Sequence, residues 1–299
     1  MSGVPQGSVL GPLLFILYTS ELYGIVENTM IGYADDSTLV AIIPRPADRS
    51  TVLDSLNRDL ERIERWCESW LMRLNPSKSK AMTVSRSRTA HPPHGDIVMG
   101  GQVVGECPYV DILGVRFDPK MTFESHVRSL VSRVSGKLGI LRLARGVFGS
   151  PDIVKRCYYA FVLPVLEYCS VVWGSAAECH LTLLDRLVRS AARLCPGESF
   201  DSLGLRRRVA GLCMLYKVFN NPNHYLHSRL PPLTVRGRYT RAAVAAHGFE
   251  LEVSRCRTVQ FGRSFVPRMV REWNDLPEAV FSSGSLDQFK RSVNLFLRR

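Results

Sequence analysis

Apolar residues at 52, 53, 56, 60, 63, 67, 70, 71 and 74 recur at helical spacing with polar residues between them. This pattern predicts an amphipathic helix. Thr51 and Asp54 suit a capping box at its start, Glu61 and Arg65 form an i,i+4 pair, and Asn75-Pro76 stops it. Upstream, Val9, Leu10, Leu13, Leu14, Ile16 and Leu17 make a second helix apolar over most of its surface, so it is expected to be buried. Ser8 is its candidate cap, Pro12 falls near its first turn, and residues 3–7 read as a turn. Between the two helices, Met30, Ile31 and Tyr33 precede Asp35-Asp36, and Thr38, Leu39, Val40, Ile42 and Ile43 follow. β-branched and aromatic residues around an acidic turn predict a hairpin. A strand over 81–85, a polar loop containing Pro92-Pro93 and a second hairpin within 97–117 come next.

From Phe123 the period becomes helical. Val127, Leu130, Val131, Val134, Leu138 and Leu141 share one face, and further helices are expected over 153–166 and 181–194. The last hundred residues are helix-prone, interrupted and rich in Arg. The longest apolar run, 157–172, is broken by Pro164 and Glu167 and suits a core helix pair better than a bilayer span of about 20 apolar residues. No internal repeat is visible.

Composition narrows the class. Hydrophobic residues make up 45% and charged residues 22% of the 299 residues, which supports a packed core and excludes a wholly disordered chain. The length suggests about two domains. The net charge is +12 and unevenly placed: residues 1–50 carry two Lys/Arg against five Asp/Glu, residues 201–299 seventeen against seven. A basic half beside an acidic patch suits a polyanionic partner such as nucleic acid, with a solvated surface as the plain alternative. The eight cysteines lack CxxC spacing, so neither a zinc ribbon nor a disulfide framework is expected. Cys179-His180 and His224/His227 read as structural residues. Residues 1–3 lack the basic start of a signal peptide, and an intracellular chain is expected.

Asp35-Asp36 is the sharpest chemical feature. Two adjacent carboxylates among apolar strand residues repel each other unless a cation compensates. In a regular strand they would point to opposite faces, whereas a hairpin tip can bring them together. Hard oxygen donors suit Mg²⁺, and a solvated turn is the plain alternative.

The surrounding blocks carry a resemblance. GVPQGSVLGPLLF at 3–15 and GYADDSTLV at 32–40 closely resemble two blocks of reverse transcriptases of non-LTR retrotransposons. WCESWLMRLNPSKSKAM at 66–82, ILGVRFDPKMTFESHV at 112–127, CYYAFVLPVLEYCSVVW at 157–173 and SFVPRMVREWNDLPEAVF at 264–281 resemble later segments of the same elements. Ile112 stands where the family usually has Tyr. The resemblance implies an α+β fold: a partial right-hand polymerase palm of antiparallel sheet with helices over 1–120, an all-helical thumb-like region over 121–210, and a basic helical C-terminal region over 211–299. It implies RNA-directed DNA polymerisation by two-metal nucleotidyl transfer with Mg²⁺, or Mn²⁺ as the alternative ion, on an RNA template, a DNA primer and dNTPs. No membrane is involved, and the implied work site is nuclear.

On these residues, the resemblance makes Asp35 the metal-binding catalytic carboxylate and Asp36 its supporting neighbour. Tyr33 would lie near the primer end and incoming nucleotide, and Gln6 and Gly7 would shape the nucleotide and template pocket. Lys78 would face the triphosphate and neutralise or protonate the leaving pyrophosphate, with a solvated loop lysine as its plain alternative. Leu113 and Gly114 would form the hairpin that grips the primer. The family's further Asp lies on a strand upstream of the PQG block, where this sequence has only Met1 and Ser2. The chain is therefore expected to be a C-terminal part of a longer polyprotein, incomplete and inactive alone. The rival expectation is a non-catalytic nucleic-acid-binding remnant. It would use Arg206, Arg207 and Arg208, and the segment with Arg236, Arg238 and Arg241, where Tyr239 could stack on a base.

Overall fold

The computed structural model describes residues 7–44, 49–85, 95–148, 150–196, 199–234 and 248–298. The chain divides into two compact units, residues 1–110 and 111–299.

The first unit mixes helix with small antiparallel sheets. Helix α1 (Gly11–Thr19) has Pro12 in its first turn, as the sequence suggests, but its N-cap position is Leu10; Ser8, two residues earlier, accepts the Gly11 N–H on Oγ at 3.1 Å. Strands β1 (Thr29–Tyr33) and β2 (Asp36–Val40) pair antiparallel, with Tyr33 opposite Asp36 and Ala34-Asp35 as the two-residue loop. Helix α2 (Arg49–Ser69) buries Leu53, Asp59, Ile63, Trp66 and Cys67. Its inward face packs with Leu22 against Ile25, Val26, Met30, Leu60, Met72 and Leu74. A short hairpin of β3 (Val98–Met99) and β4 (Gln102–Val103) turns at Gly100-Gly101, both with positive φ.

Five details of the first unit differ from the sequence pattern. Helix α1 is exposed: Leu13, Leu14, Ile16 and Leu17 face solvent, and only Gly11 and Thr19 are buried. Helix α2 stops at Ser69, before Asn75-Pro76. The Met72 N–H bonds Cys67 O at 2.8 Å and the Leu71 N–H bonds Glu68 O at 3.2 Å, with Leu71 left-handed at φ 55°, so a Schellman motif ends the helix. Thr51 lies inside the first turn of α2, and Arg65 Nε donates to the Glu61 backbone carbonyl at 3.3 Å. The expected strand over 81–85 reduces to one bridge, Ala81 with Glu106.

The second unit opens with a hairpin of β5 (Val110–Ile112) and β6 (Val115–Phe117) and is otherwise helical. Helix α3 (Glu124–Phe148) buries Val127, Leu130, Val134, Leu138 and Leu141, the face read from the sequence. It packs along α7 (Glu178–Leu194), which buries Leu181, Leu184, Val188, Ala191 and Leu194. Between them, the helix expected over 153–166 is interrupted. It runs as α4 (Pro151–Cys157), a π segment over Tyr158–Val162, and α5 (Leu163–Glu167). Pro164 lacks an N–H, and the ladder widens in the turn before it. Helix α6 (Ser170–Trp173) places Trp173 fully inside, its Nε1–H bonded to Tyr168 O at 2.7 Å.

Helix α8 (Leu203–Phe219) serves two cores. Leu203 closes the core of α3, α5 and α7, while Val209, Leu212 and Leu215 face a second one. A short helix α9 (Val259–Arg263) precedes α10 (Phe265–Asn274), and the second core joins Leu251, α10 and α11 (Leu286–Leu297) around Trp273 and Phe289. Among the described residues, no helix is long and apolar enough to cross a membrane.

Candidate functional site

The β1–β2 hairpin carries the acidic pair, and its entry is anchored by a carboxylate that sequence reading passed over. Asp59, on the inward face of α2, is 0% exposed. It accepts the Glu27 N–H at 2.9 Å, the Asn28 N–H at 2.8 Å and the Asn28 side-chain amide at 2.8 Å. Arg62 adds an ion pair at 3.0 Å and reaches Glu27 at 2.7 Å. Burial alone would raise the Asp59 carboxyl, but these donors and Arg62 outweigh it and hold the group below the ordinary carboxylate value. A charged residue three positions after Leu56 and four before Ile63 sits on the apolar stripe, and that is the signal that could have found it.

Beyond the anchor, the strands carry their side chains outward. Gly32 lies under the Tyr23 ring, which a Cβ there would strike. Tyr33, Asp35 and Asp36 are all exposed. Asp35 occupies the loop after left-handed Ala34 (φ 52°), and Asp36 opens β2. The tip thus escapes strict strand alternation, the condition for two neighbouring carboxylates to serve one ion. The donor chemistry suits a hard divalent cation and supplies part of a shell. Among the described residues, no group of three or more His, Cys, Asp or Glu stands together to complete one.

The remaining candidates of this unit are solvent-facing. Lys78 is exposed at the end of a 3-10 turn (Pro76–Lys78), its backbone N–H held by Asn75. Gly7 is exposed with φ 81°, a left-handed geometry that favours glycine. Gln6 lies outside the described residues.

In the second unit, Leu113 (φ 47°) and Gly114 (φ 78°) form the β5–β6 turn. The Tyr168 hydroxyl donates to Leu113 O at 2.8 Å, and its ring stands 3.5 Å from where a Gly114 Cβ would be. Asp111 and Arg116 pair across the hairpin at 2.9 and 3.1 Å. The Arg116 N–H donates to Nδ1 of buried His126 at 3.2 Å. Asp118 accepts four hydrogen bonds from residues 120–123, so it shapes the lead into α3.

The three-arginine run is tied into the fold. Arg206 pairs with Glu167 and, at 3.6 Å, with Asp201; Arg208 pairs with Glu272 at 2.7 Å. Arg207 is largely covered, with Nη1 shielded from water and unbonded among the described residues. Burial disfavours its charge, and Asp185 and Glu178 counter that effect. Arg206 and Arg208 are thus engaged with carboxylates, while Arg207 lies between them with its charge largely covered. Arg236, Arg238, Tyr239 and Arg241 lie outside the described residues.

With this geometry in place, known proteins that resemble the chain can be set beside it. Residues 1–117, which include the acidic hairpin, match the family model described as reverse transcriptase (RNA-dependent DNA polymerase). The resemblance read from the motifs is borne out, and its non-LTR character is carried by individual relatives. The chain is 27% identical over 240 residues to a Drosophila melanogaster protein named "Probable RNA-directed DNA polymerase from transposon X-element", covering 77% of this chain and 25% of that protein. It is 28% identical over 208 residues to the RNA-directed DNA polymerase from mobile element jockey of Drosophila funebris, covering 66% of this chain and 22% of that protein. The chain therefore spans about a quarter of these relatives' length. No solved structure matches it.

Proposed function

We propose that this chain is the part of a non-LTR retrotransposon reverse transcriptase that carries the metal-binding hairpin of the palm and the helices that follow it. One observation carries the reading: within the matched segment, Asp35 and Asp36 stand exposed at a hairpin tip whose base is fastened to α2 by buried Asp59. A fastened base with an open tip lets two carboxylates meet a cation without moving the sheet.

In this reading Asp35 and Asp36 hold Mg²⁺. Bound there, the ion supplies activation of a primer hydroxyl and charge neutralisation at a triphosphate. Tyr33, opposite Asp36 in the ladder, presents its ring beside the acidic tip and orients the nucleotide or primer end. Lys78 offers a mobile ammonium to the leaving pyrophosphate. The Leu113-Gly114 turn, braced by Tyr168, holds the primer strand. The helices around α3 and α7 act as the thumb-like part, and the core around Trp273 as the basic C-terminal region. RNA template, DNA primer and dNTPs are the partners, and the rest of the polyprotein completes the enzyme. The purely binding alternative loses support from the pairing of Arg206 and Arg208 with Glu167 and Glu272.

The test uses Asp35→Asn, which keeps shape and removes a metal-binding charge. In the isolated chain, paramagnetic Mn²⁺ should broaden amide resonances of residues 33–37, and the variant should lose this. In the full-length enzyme carrying this segment, primer extension should fall by more than about 100-fold while template binding stays unchanged. Unchanged broadening together with near-normal extension would reduce the pair to a solvated turn.

A further inference from the structure

Helix α3 has two apolar faces. One, with Val127, Leu130, Val134, Leu138 and Leu141, is buried in the core. The other looks outward. In the first half of the helix the outward residues are polar, with Arg128, Ser132 and Arg133 exposed. In the second half Ile140, Leu143 and Val147 replace them, 67%, 76% and 83% exposed. Together with Gly136 they stand 4, 3 and 4 residues apart. That spacing keeps them within about 60° of the helix circumference and about 16 Å of its length, opposite the buried face. An aliphatic residue exposed singly is ordinary, but three in register behind a complete core face form a surface that water does not favour.

The spacing says what shape covers this stripe. Alternation of 4 and 3 is the repeat by which one α-helix packs along another. The stripe is one side chain wide, edged by Lys137 and Ala144 on one side and by Gly139 and Gly146 on the other. A lipid surface takes a broader apolar face. Glycine inside a helix costs stability relative to alanine, yet a Cβ at Gly136, Gly139 or Gly146 would meet only open space. Nothing among the described residues requires these positions to be small, whereas a second backbone laid close against the stripe does. The charges say which helix. After Glu124, α3 carries Arg128, Arg133, Lys137, Arg142 and Arg145 and no Asp or Glu. Arg128 is paired with Glu124 at 2.9 Å. Arg133, at the head of the stripe, and Lys137, on its edge, have no carboxylate partner among the described residues. A second copy of α3 would set like charges together. The stretches 86–94 and 235–247 of this chain also contain no Asp or Glu. A nucleic-acid strand would meet the charges but leave the aliphatic stripe wet, with no ring there for a base to stack on.

We propose that the outward face of α3 over residues 133–147 docks an acidic amphipathic helix of another polypeptide. The apolar stripe of that helix covers Ile140, Leu143 and Val147. Its backbone lies close to Gly139 and Gly146, and its carboxylates meet Arg133 and Lys137. Apolar burial supplies the affinity, and the opposite charges select the partner and its orientation. Such docking requires no polymerase activity.

The experiment uses the whole chain and a fluorescein-labelled three-heptad peptide, with Leu at its seam positions and Glu beside them, followed by anisotropy. A peptide with Lys in place of every Glu is the comparison. The Glu peptide should bind at least about 10-fold more tightly than the Lys peptide. Leu143→Ser removes one seam contact and should weaken it about 10- to 30-fold. Gly139→Gln fills space that is open in the free protein and should weaken it about 10-fold. Arg133→Glu combined with Lys137→Glu should reverse the order of the two peptides. Leu143 is exposed and Gly139 faces open space, so both single variants should melt at the wild-type temperature. Equal binding of the two peptides, or binding of neither, overturns the proposal. A Leu143→Ser chain that melts lower assigns the stripe to this chain's own fold and overturns it too. A wild-type dimer that Leu143→Ser dissociates in sedimentation assigns the face to a second copy. Loss of binding to a short single-stranded DNA or to anionic vesicles in Leu143→Ser, with the Glu peptide unaffected, assigns it to those surfaces; each of these results also overturns the helix partner.

Discussion

Replacing Asp59 by Ala tests whether the acidic hairpin depends on its anchor. The carboxylate is fully covered and accepts two backbone N–H groups, from Glu27 and Asn28, as well as the Asn28 amide and Arg62. Hydrogen bonds to a charged acceptor contribute about 1.5–3 kcal/mol each, and stranded buried donors cost about 1–3 kcal/mol each. Glu27 is exposed and Asn28 half-buried, so water recovers part of that loss. The net expectation is about 3 kcal/mol, close to 100-fold in a local opening constant. Hydrogen exchange read by mass spectrometry on peptides covering 27–40 measures this opening directly. Acid gives an independent check. The folded carboxyl lies below its ordinary value of 3.8, so its stabilisation is complete above that pH and fades as pH falls through the lower folded value. Asp59→Asn should abolish this acid sensitivity at the hairpin. A change under about 0.5 kcal/mol in Asp59→Ala, or acid sensitivity retained in Asp59→Asn, would refute the anchoring argument.

Three further outcomes follow from the same geometry. Leu71 is 94% exposed and left-handed at the end of α2, so Leu71→Gly should stabilise the first unit by about 0.5–1 kcal/mol in urea denaturation. Gly114→Ala forces a Cβ into φ 78° beside Tyr168 and should cost about 1–2 kcal/mol, whereas Tyr168→Phe should cost only about 1 kcal/mol by removing the bond to Leu113 O; thermal unfolding of both variants checks the order. Arg206→Ala should lower stability by about 1–2 kcal/mol through Glu167 and Asp201 while leaving the salt slope of nucleic-acid binding unchanged; a flattened slope would return Arg206 to the binding surface.

Much of the fold and of the candidate site is legible in the residue pattern. The buried faces of α2, α3 and α7 follow from the spacing of their apolar residues, because a helix repeats every 3.6 residues whatever it packs against. The β1–β2 hairpin follows from β-branched residues around an acidic turn, and the match of residues 1–117 to the reverse-transcriptase family model from linear blocks that need no structure to be seen. Boundaries were less legible. The end of α2 is set by backbone bonds at 67–72 and a left-handed leucine, where the usual glycine signal is absent.

What the chain alone determined, then, is which segments are helix or hairpin, where two carboxylates stand together, and which residues have an apolar side. Those properties are local, written in neighbours a few positions apart. Tertiary structure decided what each side meets. The apolar surface of α1 stays open to solvent, while Asp59 goes inside because Glu27 and Asn28, 32 and 31 positions away, bring N–H donors to it. Arg206 and Arg208 look in sequence like a basic patch, yet Glu167 and Glu272 reach them from 39 and 64 positions away. His126 acquires its strand-bonded Nδ1, and an Nε2 without a partner among the described residues, only when β6 folds back over α3. A side chain's charge is fixed by its type, but its partner is fixed by chain closure over long separations, and no local pattern encodes that.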